Sequence, residues 1–356
     1  MARSRVTRVT LMDVAQAAGV SRSTAARSLG GYGKVDPALR TRVLAAAKEL
    51  GYRANTLARS VSSGRSHTIG VVVSDIENPH FARAVRGISD VARRHEFDVV
   101  LVNTDEKLEL EREALSTMLD KRVDGLIVAP STGTAFEHLQ DALDMNRAVV
   151  LLDRNLPELH CDWVGADDYS AVRQIVDWMA DAGHGEVCLV AATNRTAEDI
   201  EQHVVEPISS IAERVRALRD TARARDIGYR ILTGAMSQRR TRHVIREAMA
   251  APTAPTALIG SYSEIVLTAV DELRSSGRRI PEDVSVASLD DARWMTITSP
   301  GITAARRPSY DMGCRAAEVL LSRLASDGPA TRTHVLPVEM VSRQSIGAPR
   351  TPAPGV

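Results

Sequence analysis

The sequence predicts an all-α helix-turn-helix head followed by an α/β core of two doubly wound, parallel-sheet subdomains. Three observations carry this expectation. Residues 10–35, TLMDVAQAAGVSRSTAARSLGGYGKV, hold two short amphipathic stretches separated by Gly19. Downstream, apolar runs of strand length alternate with longer stretches of helical period, which implies parallel sheets covered on both faces. The alternation restarts after Gly165, so it describes two sheets rather than one.

The head comes first in the chain. Thr10 is suited to cap a helix, with Asp13 three residues later near the positive helix end. Val14, Ala15 and Ala18 share one apolar face. Gly19 supplies a tight or left-handed turn. Ser21 caps a second helix, Arg22–Leu29, with Ala25 and Leu29 pointing inward. Two short helices joined by such a turn make a helix-turn-helix. The second helix exposes Arg22, Ser23, Ala26 and Arg27 with few carboxylates nearby, and that face suits a duplex major groove, where Arg grips guanine with two hydrogen bonds. Taken alone, the same pattern also fits an ordinary two-helix packing unit. Asp36-Pro37 then starts a third helix with Leu39, Val43, Ala46, Ala47 and Leu50 inward, ended by Gly51. The resulting three-helix core, about 45 residues long, is small enough to be only marginally stable when detached.

Charge separates the two readings. The 356-residue chain has 45 Lys+Arg and 45 Asp+Glu, a formal net charge of zero. Residues 1–66, however, hold 12 basic and 3 acidic residues, a net of +9 balanced by −9 in the remainder. A basic, helix-patterned head on an acidic body points to a polyanionic partner for the head alone. The length favours two or three domains. Cys161, Cys188 and Cys314 are odd in number and widely spaced, with no CxxC pair, so neither a disulfide frame nor a zinc finger is expected. The run His160-Cys161-Asp162 matches metal ligands in residue type only, and no metal or other cofactor is expected. No apolar run of about 18 residues occurs, and the N-terminal MARSRVTRVT lacks a signal-peptide core. These features predict a soluble, cytoplasmic protein without a membrane partner.

Residues 52–65, YRANTLARSVSSGR, join head to body. Asn55–Ser62 reads either as about two turns of helix, marginal in water at under ~12 residues, or as a plain linker. In the body, strands are expected at 69–74, 99–102, 125–129, 149–152 and around 163–165, then at 187–191, 229–232, 257–259, 284–288 and around 334–338. Helices are expected at 78–96, 110–119, 135–145, 172–179, 211–225, 241–249, 265–273 and 312–324. Ligands of parallel sheets sit beyond the carboxyl ends of the strands. Ser74-Asp75, Asn103, Asp153-Arg154, Asn194 and Asp290-Asp291 follow strand runs and would converge on one cleft, although each of these residue types also serves in caps and turns.

The series VTLMDVAQAAGVSRSTAARSL, LGYRANTLARS, GRSHTIGVVVSDIENPHF, LLDR, RRIPEDVSV, LDD and SPGIT, in that order over Val9–Ile346, resembles the LacI family of bacterial transcription regulators. The resemblance implies a periplasmic-binding-protein-like core and a homodimer, or a tetramer made of two such dimers, reading a near-palindromic operator in double-stranded DNA. It implies base reading by Arg22, Ser23 and Arg27, with Ser21 and Thr24 nearer phosphates and Thr10 a further DNA-binding position. Asn55, Ala58 and Val61 fall in the family's hinge helix; Val61 stands where a leucine wedge is usual, and Ala54 where proline is usual. The effector positions fall at Asp75, Asn103, Asp153, Arg154, Arg214, Tyr262 and Asp290, with Phe81 and Trp294 as apolar walls. Tyr262-Ser263, Asp168 and Met236 depart from the family's usual ligand set. Carboxylates and arginines at a cleft suit the vicinal hydroxyls of a sugar or polyol, so the implied function is repression relieved by such an effector. A corepressor-dependent repressor of the purine-responsive kind and, less favoured, an activator are the alternatives. An enzyme is not expected, since the chain lacks GxGxxG after its first strand, a P-loop GxxxxGK and a GxSxG elbow. The implied domains are 1–54 (head), 55–65 (hinge and linker), 66–346 (effector core) and 347–356 (disordered tail). Within the core, subdomain 1 takes about 66–165 and 291–326, and subdomain 2 about 166–290 and 327–346.

Overall fold

A computed structural model describes residues 9–30, 33–52, 65–193, 195–201, 209–325 and 331–349. The hinge positions Asn55, Ala58 and Val61, and the strand-end residue Asn194, lie outside the described residues. The chain divides into two compact units, residues 1–67 and 68–356.

The head contains α1 (Leu11–Ala17), α2 (Arg22–Gly30) and α3 (Pro37–Glu49). A reciprocal capping box starts α1: the Asp13 N–H donates to Thr10 Oγ1 at 3.3 Å, and the Thr10 N–H donates to Asp13 Oδ2 at 2.7 Å. Those bonds hold the Asp13 carboxyl below its ordinary range. Gly19 turns the chain at φ +62, and Ser21 Oγ accepts from the Thr24 N–H at 3.1 Å to cap α2. Val14, Ala15, Ala18, Ala25, Val43, Ala46 and Ala47 form the core. Leu29 packs against it as expected, but Leu50 does not: it caps α3 and is 37% exposed. Gly51, at φ +62, reverses the chain there, so Tyr52 covers the core in its place.

The body consists of two six-stranded sheets with helices on both faces. The first lobe is built from β1 (Thr68–Val73), α4 (Pro79–Arg94), β2 (Asp98–Asn103), α5 (Leu108–Asp120), β3 (Gly125–Val128), α6 (Glu137–Asp144), β4 (Ala148–Leu152) and β5 (Asp162–Ala166). The second runs through α7 (Asp168–Asp181), β6 (Glu186–Val190), α8 (Ala197–Glu201), α9 (Ser209–Ala224), β7 (Gly228–Leu232), α10 (Gln238–Ala250), β8 (Ala257–Gly260), α11 (Ser263–Ser275), β9 (Ser285–Ser288) and β10 (Thr303–Arg306). The chain then re-enters the first lobe with α12 (Ser309–Ala325) and β11 (Thr333–Leu336), and ends in the second with β12 (Glu339–Val341). The strand orders are β11-β5-β4-β3-β1-β2 and β12-β10-β9-β8-β6-β7, parallel throughout except for the antiparallel β10–β12 pair.

This topology corrects the expected division of the core. Residues 303–306, expected with the first subdomain, pair with β9 in the second sheet. Residues 333–336, expected with the second, pair with β5 in the first. β10 is the four-residue run TAAR, with neither the β-branched enrichment nor the length that marks a strand. The single final strand expected around 334–338 is two, one in each lobe, divided at Pro337, which lacks the N–H a ladder needs. Residues 347–349 are likewise not a free tail. The Gly347 N–H donates to Ser285 Oγ at 3.0 Å, and the Gly347 carbonyl lies 3.0 Å from His184 Nε2.

α4 and α12 pack together on one face of the first sheet because two glycines let their backbones meet. A Cβ on Gly313 would lie 1.9 Å from the Ala84 carbonyl oxygen, and one on Gly87 would lie 2.2 Å from that of Tyr310. Backbone cannot yield as a side-chain tip can. Gly313→Ala is therefore expected to lower the denaturant midpoint of the body by an amount equivalent to about 1–3 kcal/mol or more. An unchanged midpoint would show that the two helices can separate at little cost.

Candidate functional site

Two places carry chemistry. The first is the outer face of α2. Ser21, Arg22, Ser23 and Arg27 are exposed, while Thr24 and Ala26 are half-buried. Ser21 Oγ lies 2.9 Å from both Ser23 Oγ and Thr24 Oγ1, so the three hydroxyls form one cluster at the start of the helix. Arg27 donates from Nε to the Ser23 carbonyl at 3.3 Å, which leaves the fork of its guanidinium outward. Neither Arg22 nor Arg27 has an ion-pair partner among the described residues. Helix α2 itself contains no carboxylate. Thr10, exposed, is engaged in its own capping box.

The second is a cavity of about 130 Å³ in the body, lined from both lobes. Its walls are strand ends and the loops that follow them, as parallel sheets require. Asp75 follows β1, Asp153-Arg154 follow β4, Ser261-Tyr262 follow β8 and Asp290 follows β9. Phe81 reaches it from α4, and Ser210, Ile211 and Arg214 from α9.

Ion pairs organise this cavity. Arg154 makes a forked contact with Glu106, at 2.7 Å through Nη1 and 2.5 Å through Nη2, and also donates to the Pro130 carbonyl at 2.8 Å. Its guanidinium lies over the Phe81 ring, 5.8 Å from the centroid. Arg214 donates to Asp168 at 3.0 Å and to the Ser261 carbonyl at 3.1 Å. Arg307 donates to Asp153 Oδ1, and its Nε lies 3.0 Å from Asp168 Oδ1, close enough for an ion pair although off the hydrogen-bond direction. Burial alone would raise the Asp153 carboxyl, but Arg307 and His80 beside it hold it well below the usual carboxylate range. Burial opposes the charge of Arg307, yet Asp153, Asp168 and Asp290 together keep it protonated more firmly than a free arginine.

Asp290 is the exception. No hydrogen bond to its carboxylate is formed among the described residues. Burial pushes its pKa up, and Arg307, His80 and Arg214 offset that only in part. Asp291, its neighbour, turns away and is held by Arg306 at 2.8 Å and Arg343 at 2.8 Å. The adjacent carboxylates therefore do not act as a pair. Tyr262 lines the cavity, and burial, with Asp75 nearby, pushes its phenol up to about 12, so it stays protonated.

Of the nine effector positions expected, Asp75, Phe81, Asp153, Arg154, Arg214, Tyr262 and Asp290 line the cavity; Asn103 and Trp294 do not. Asn103 Oδ1 accepts from the Ile76 N–H at 2.8 Å, so this side chain holds the loop that carries Asp75. Trp294 lies on a short 3-10 turn (Arg293–Thr296) and packs against the second-lobe core. Glu106, Ser210, His80 and Arg307 were not foreseen. The first two lie in a loop and at a helix start that carry no motif. His80 and Arg307 are brought together only by α4 and the β10–α12 crossing. His80 Nδ1 lies 2.8 Å from Ser309 Oγ and its Nε2 lies 3.3 Å from Asp153, an acid–imidazole–hydroxyl order familiar from hydrolases. Ser309 is only 3% exposed and is not on the cavity wall, so its hydroxyl has no approach for a substrate.

Among the described residues no group of three or more His, Cys, Asp or Glu side chains could hold a metal ion. No described helix is long and apolar enough to cross a membrane.

Comparison with known proteins supplies the remaining observation. Residues 10–55 match the model of bacterial regulatory proteins of the lacI family, and residues 66–344 match that of periplasmic binding proteins and the sugar binding domain of the LacI family. The chain belongs to the LacI family. It is 33% identical to the HTH-type transcriptional regulator PtxS of Pseudomonas aeruginosa, over 95% of this chain and 96% of that one. It is 30% identical to the HTH-type transcriptional regulator KdgR of Bacillus subtilis, over 95% and 97%. Its fold matches the Lac repressor dimer bound to operator and the anti-inducer ONPF, with a TM-score of 0.79 at 23% identity, over 96% of this chain and all of that one. This LacI-family chain is thus a DNA-binding transcriptional regulator with a sugar-binding type of body.

Proposed function

We propose that this regulator is a repressor that binds a near-palindromic operator as a homodimer and is released when an uncharged sugar or polyol enters the body cavity. The observation that carries the reading is the state of the cavity's charges. Each of its three guanidiniums already faces a carboxylate, whereas the Asp290 carboxylate accepts no hydrogen bond from the described residues. A free carboxylate with two oxygens accepts a pair of vicinal hydroxyls, and burial strengthens those bonds. Tyr262 and Ser210 supply hydroxyls for the opposite edge of such a ligand.

On the DNA side, Arg22, Ser23 and Arg27 read bases, and Ser21, Thr24 and Thr10 contact phosphates. The segment 55–65, with Asn55, Ala58 and Val61, would meet the operator and transmit the state of the body. A coupling free energy of about 1–3 kcal/mol suffices to change affinity 5–150-fold. The corepressor reading is disfavoured by the cavity walls. Trp294, expected as a second apolar wall on which a planar nucleobase could stack, does not line the cavity, and the Phe81 ring already faces Arg154.

The test is an operator titration. The full-length protein should select an inverted repeat from random duplexes, with a steep loss of affinity as salt rises because phosphate contacts release counterions. Adding neutral monosaccharides and polyols in turn should weaken that binding for at least one. A ligand that tightens it would make the protein corepressor-dependent. No sequence preference at any salt concentration would end the reading.

A further inference from the structure

Arg307 stands apart from the other arginines of the cavity in where its partners belong. It lies on the crossing from β10 in the second lobe to α12 in the first. One guanidinium nitrogen, Nη2, donates to Asp153, which ends β4 of the first lobe. Its Nε lies 3.0 Å from Asp168, which opens α7 of the second lobe. Its Nη1 lies 3.2 Å from Nδ1 of His80, on α4 of the first lobe. Arg307, Asp153, Asp168 and His80 are all buried. Arg154 and Arg214, by contrast, each pair with a carboxylate of their own lobe.

In a two-lobed ligand-binding body it is ordinarily the ligand that bridges the lobes. Here a side chain of the protein makes that bridge. Without Arg307, Asp153 and Asp168 would face each other with Asp290 close by. Only His80 would remain to offset Asp153, apart from the more distant Arg154, and only Arg214 would remain on Asp168. Like charges at low dielectric repel strongly, and removing one partner of a buried pair exposes the full cost of the other. The readiest relief is separation of the lobes, which lets water in. Other bonds among the described residues cross the same boundary, such as the Asn155 N–H to Ser209 Oγ at 2.6 Å and Arg83 to the Asp291 carbonyl at 3.3 Å. Neither neutralises a buried carboxylate.

We propose that Arg307 is an internal cross-lobe pin, a positioning residue whose guanidinium joins Asp153 of the first lobe to Asp168 of the second and holds the cleft closed without a ligand. It also leaves Asp290 as the acceptor free for a ligand. Opening the cleft requires the Arg307 pairs to break, so the lobe equilibrium is biased from inside the protein.

The experiment needs neither DNA nor effector, so its outcome is independent of the function proposed above. Small-angle scattering and hydrogen exchange are compared for the full-length protein and for Arg307→Gln and Arg307→Lys. The expected result is a larger radius of gyration for the Gln variant at pH 7, with faster exchange at 153–156 and 261–263 and unchanged exchange in the outward faces of the helices. The expansion should shrink as the pH is lowered towards 5 and the freed carboxylates protonate, whereas a packing defect would show no such pH dependence. The Lys variant, which keeps the charge without the planar fork, should stay near the parent. If the Gln variant does not fold, Asp168→Asn removes only the second-lobe end and carries the same measurements. An unchanged radius and unchanged exchange at pH 7 in whichever of these variants folds, or an expansion of the Gln variant that does not vary with pH, would overturn the pin.

Discussion

Arg27→Ala is expected to abolish discrimination between operator and random duplex while leaving non-specific binding largely intact. Arg27 is exposed and anchored only through Nε to the Ser23 carbonyl, so its two terminal nitrogens remain available. A forked contact from Arg to a guanine edge contributes about 1–3 kcal/mol of base discrimination. In a homodimer the loss is felt in both half-sites, so the specificity ratio should fall by roughly the square of 5–150-fold. The backbone of α2 should not suffer, since Ala favours helix and the core side of α2, Ala25 and Leu29, is untouched. Gel-shift or fluorescence titrations against operator and scrambled duplex at two salt concentrations measure this directly. A proportional loss on both duplexes would assign Arg27 to a phosphate, and no loss on either would remove it from the interface.

Asp290→Asn is expected to do two opposite things. It should weaken effector binding by the equivalent of about 1–3 kcal/mol, because a charge-assisted pair of hydroxyl contacts becomes a neutral one with a single acceptor. It should also make the unliganded protein more stable at neutral pH. Asp290 titrates above the ordinary carboxylate range because burial outweighs the neighbouring cations, so its charge opposes folding. That penalty is complete above its folded pKa, diminishes as pH falls through that value, and is gone below the unfolded carboxylate pKa of about 3.9. The melting-temperature advantage of the Asn variant should therefore be largest near pH 7 and vanish towards pH 4. Asp153 has the opposite sign. Its lowered pKa stabilises the fold above the ordinary carboxylate range, and this is lost only as pH falls through its depressed value. An Asn variant at position 290 that is less stable than the parent at pH 7 would show a partner for that carboxylate in solution.

Much of this was legible in the residues because it depends on local rules. The capping of α1 by Thr10 and of α2 by Ser21 needs only spacing. The alternation of strand and helix runs in the body needs only period, and among the described elements it marked the strands other than the short β10 and β12 and the α-helices other than the five-residue α8. The strand-end rule placed Asp75, Asp153, Arg154 and Asp290 on the cavity before any contact was known. It misplaced Asn103, because a strand-end amide can equally tie down the next loop, and the outcome depends on where the Ile76 N–H falls. Trp294, assigned as a wall by resemblance, was drawn into the second-lobe core, where its apolar surface is better covered.

His80 and Arg307 mark the limit of such reading. They are 227 residues apart in the chain, and although His80 sits beside the expected position Phe81, nothing in the sequence links it to Arg307. Arg307 follows Arg306, whose partners are Asp291 and Glu339, so two adjacent arginines take opposite roles because strand geometry sends successive side chains to opposite faces. Composition, charge distribution and periodicity alone determined a basic three-helix head and a two-sheet body with its ligand-facing ends identified. Which carboxylates are neutralised, which one is left free, and which lobe holds β10 and β11 were decided by the tertiary structure. Charge pairing depends on distances of a few ångströms between segments far apart in the chain, and only the packed fold sets those distances.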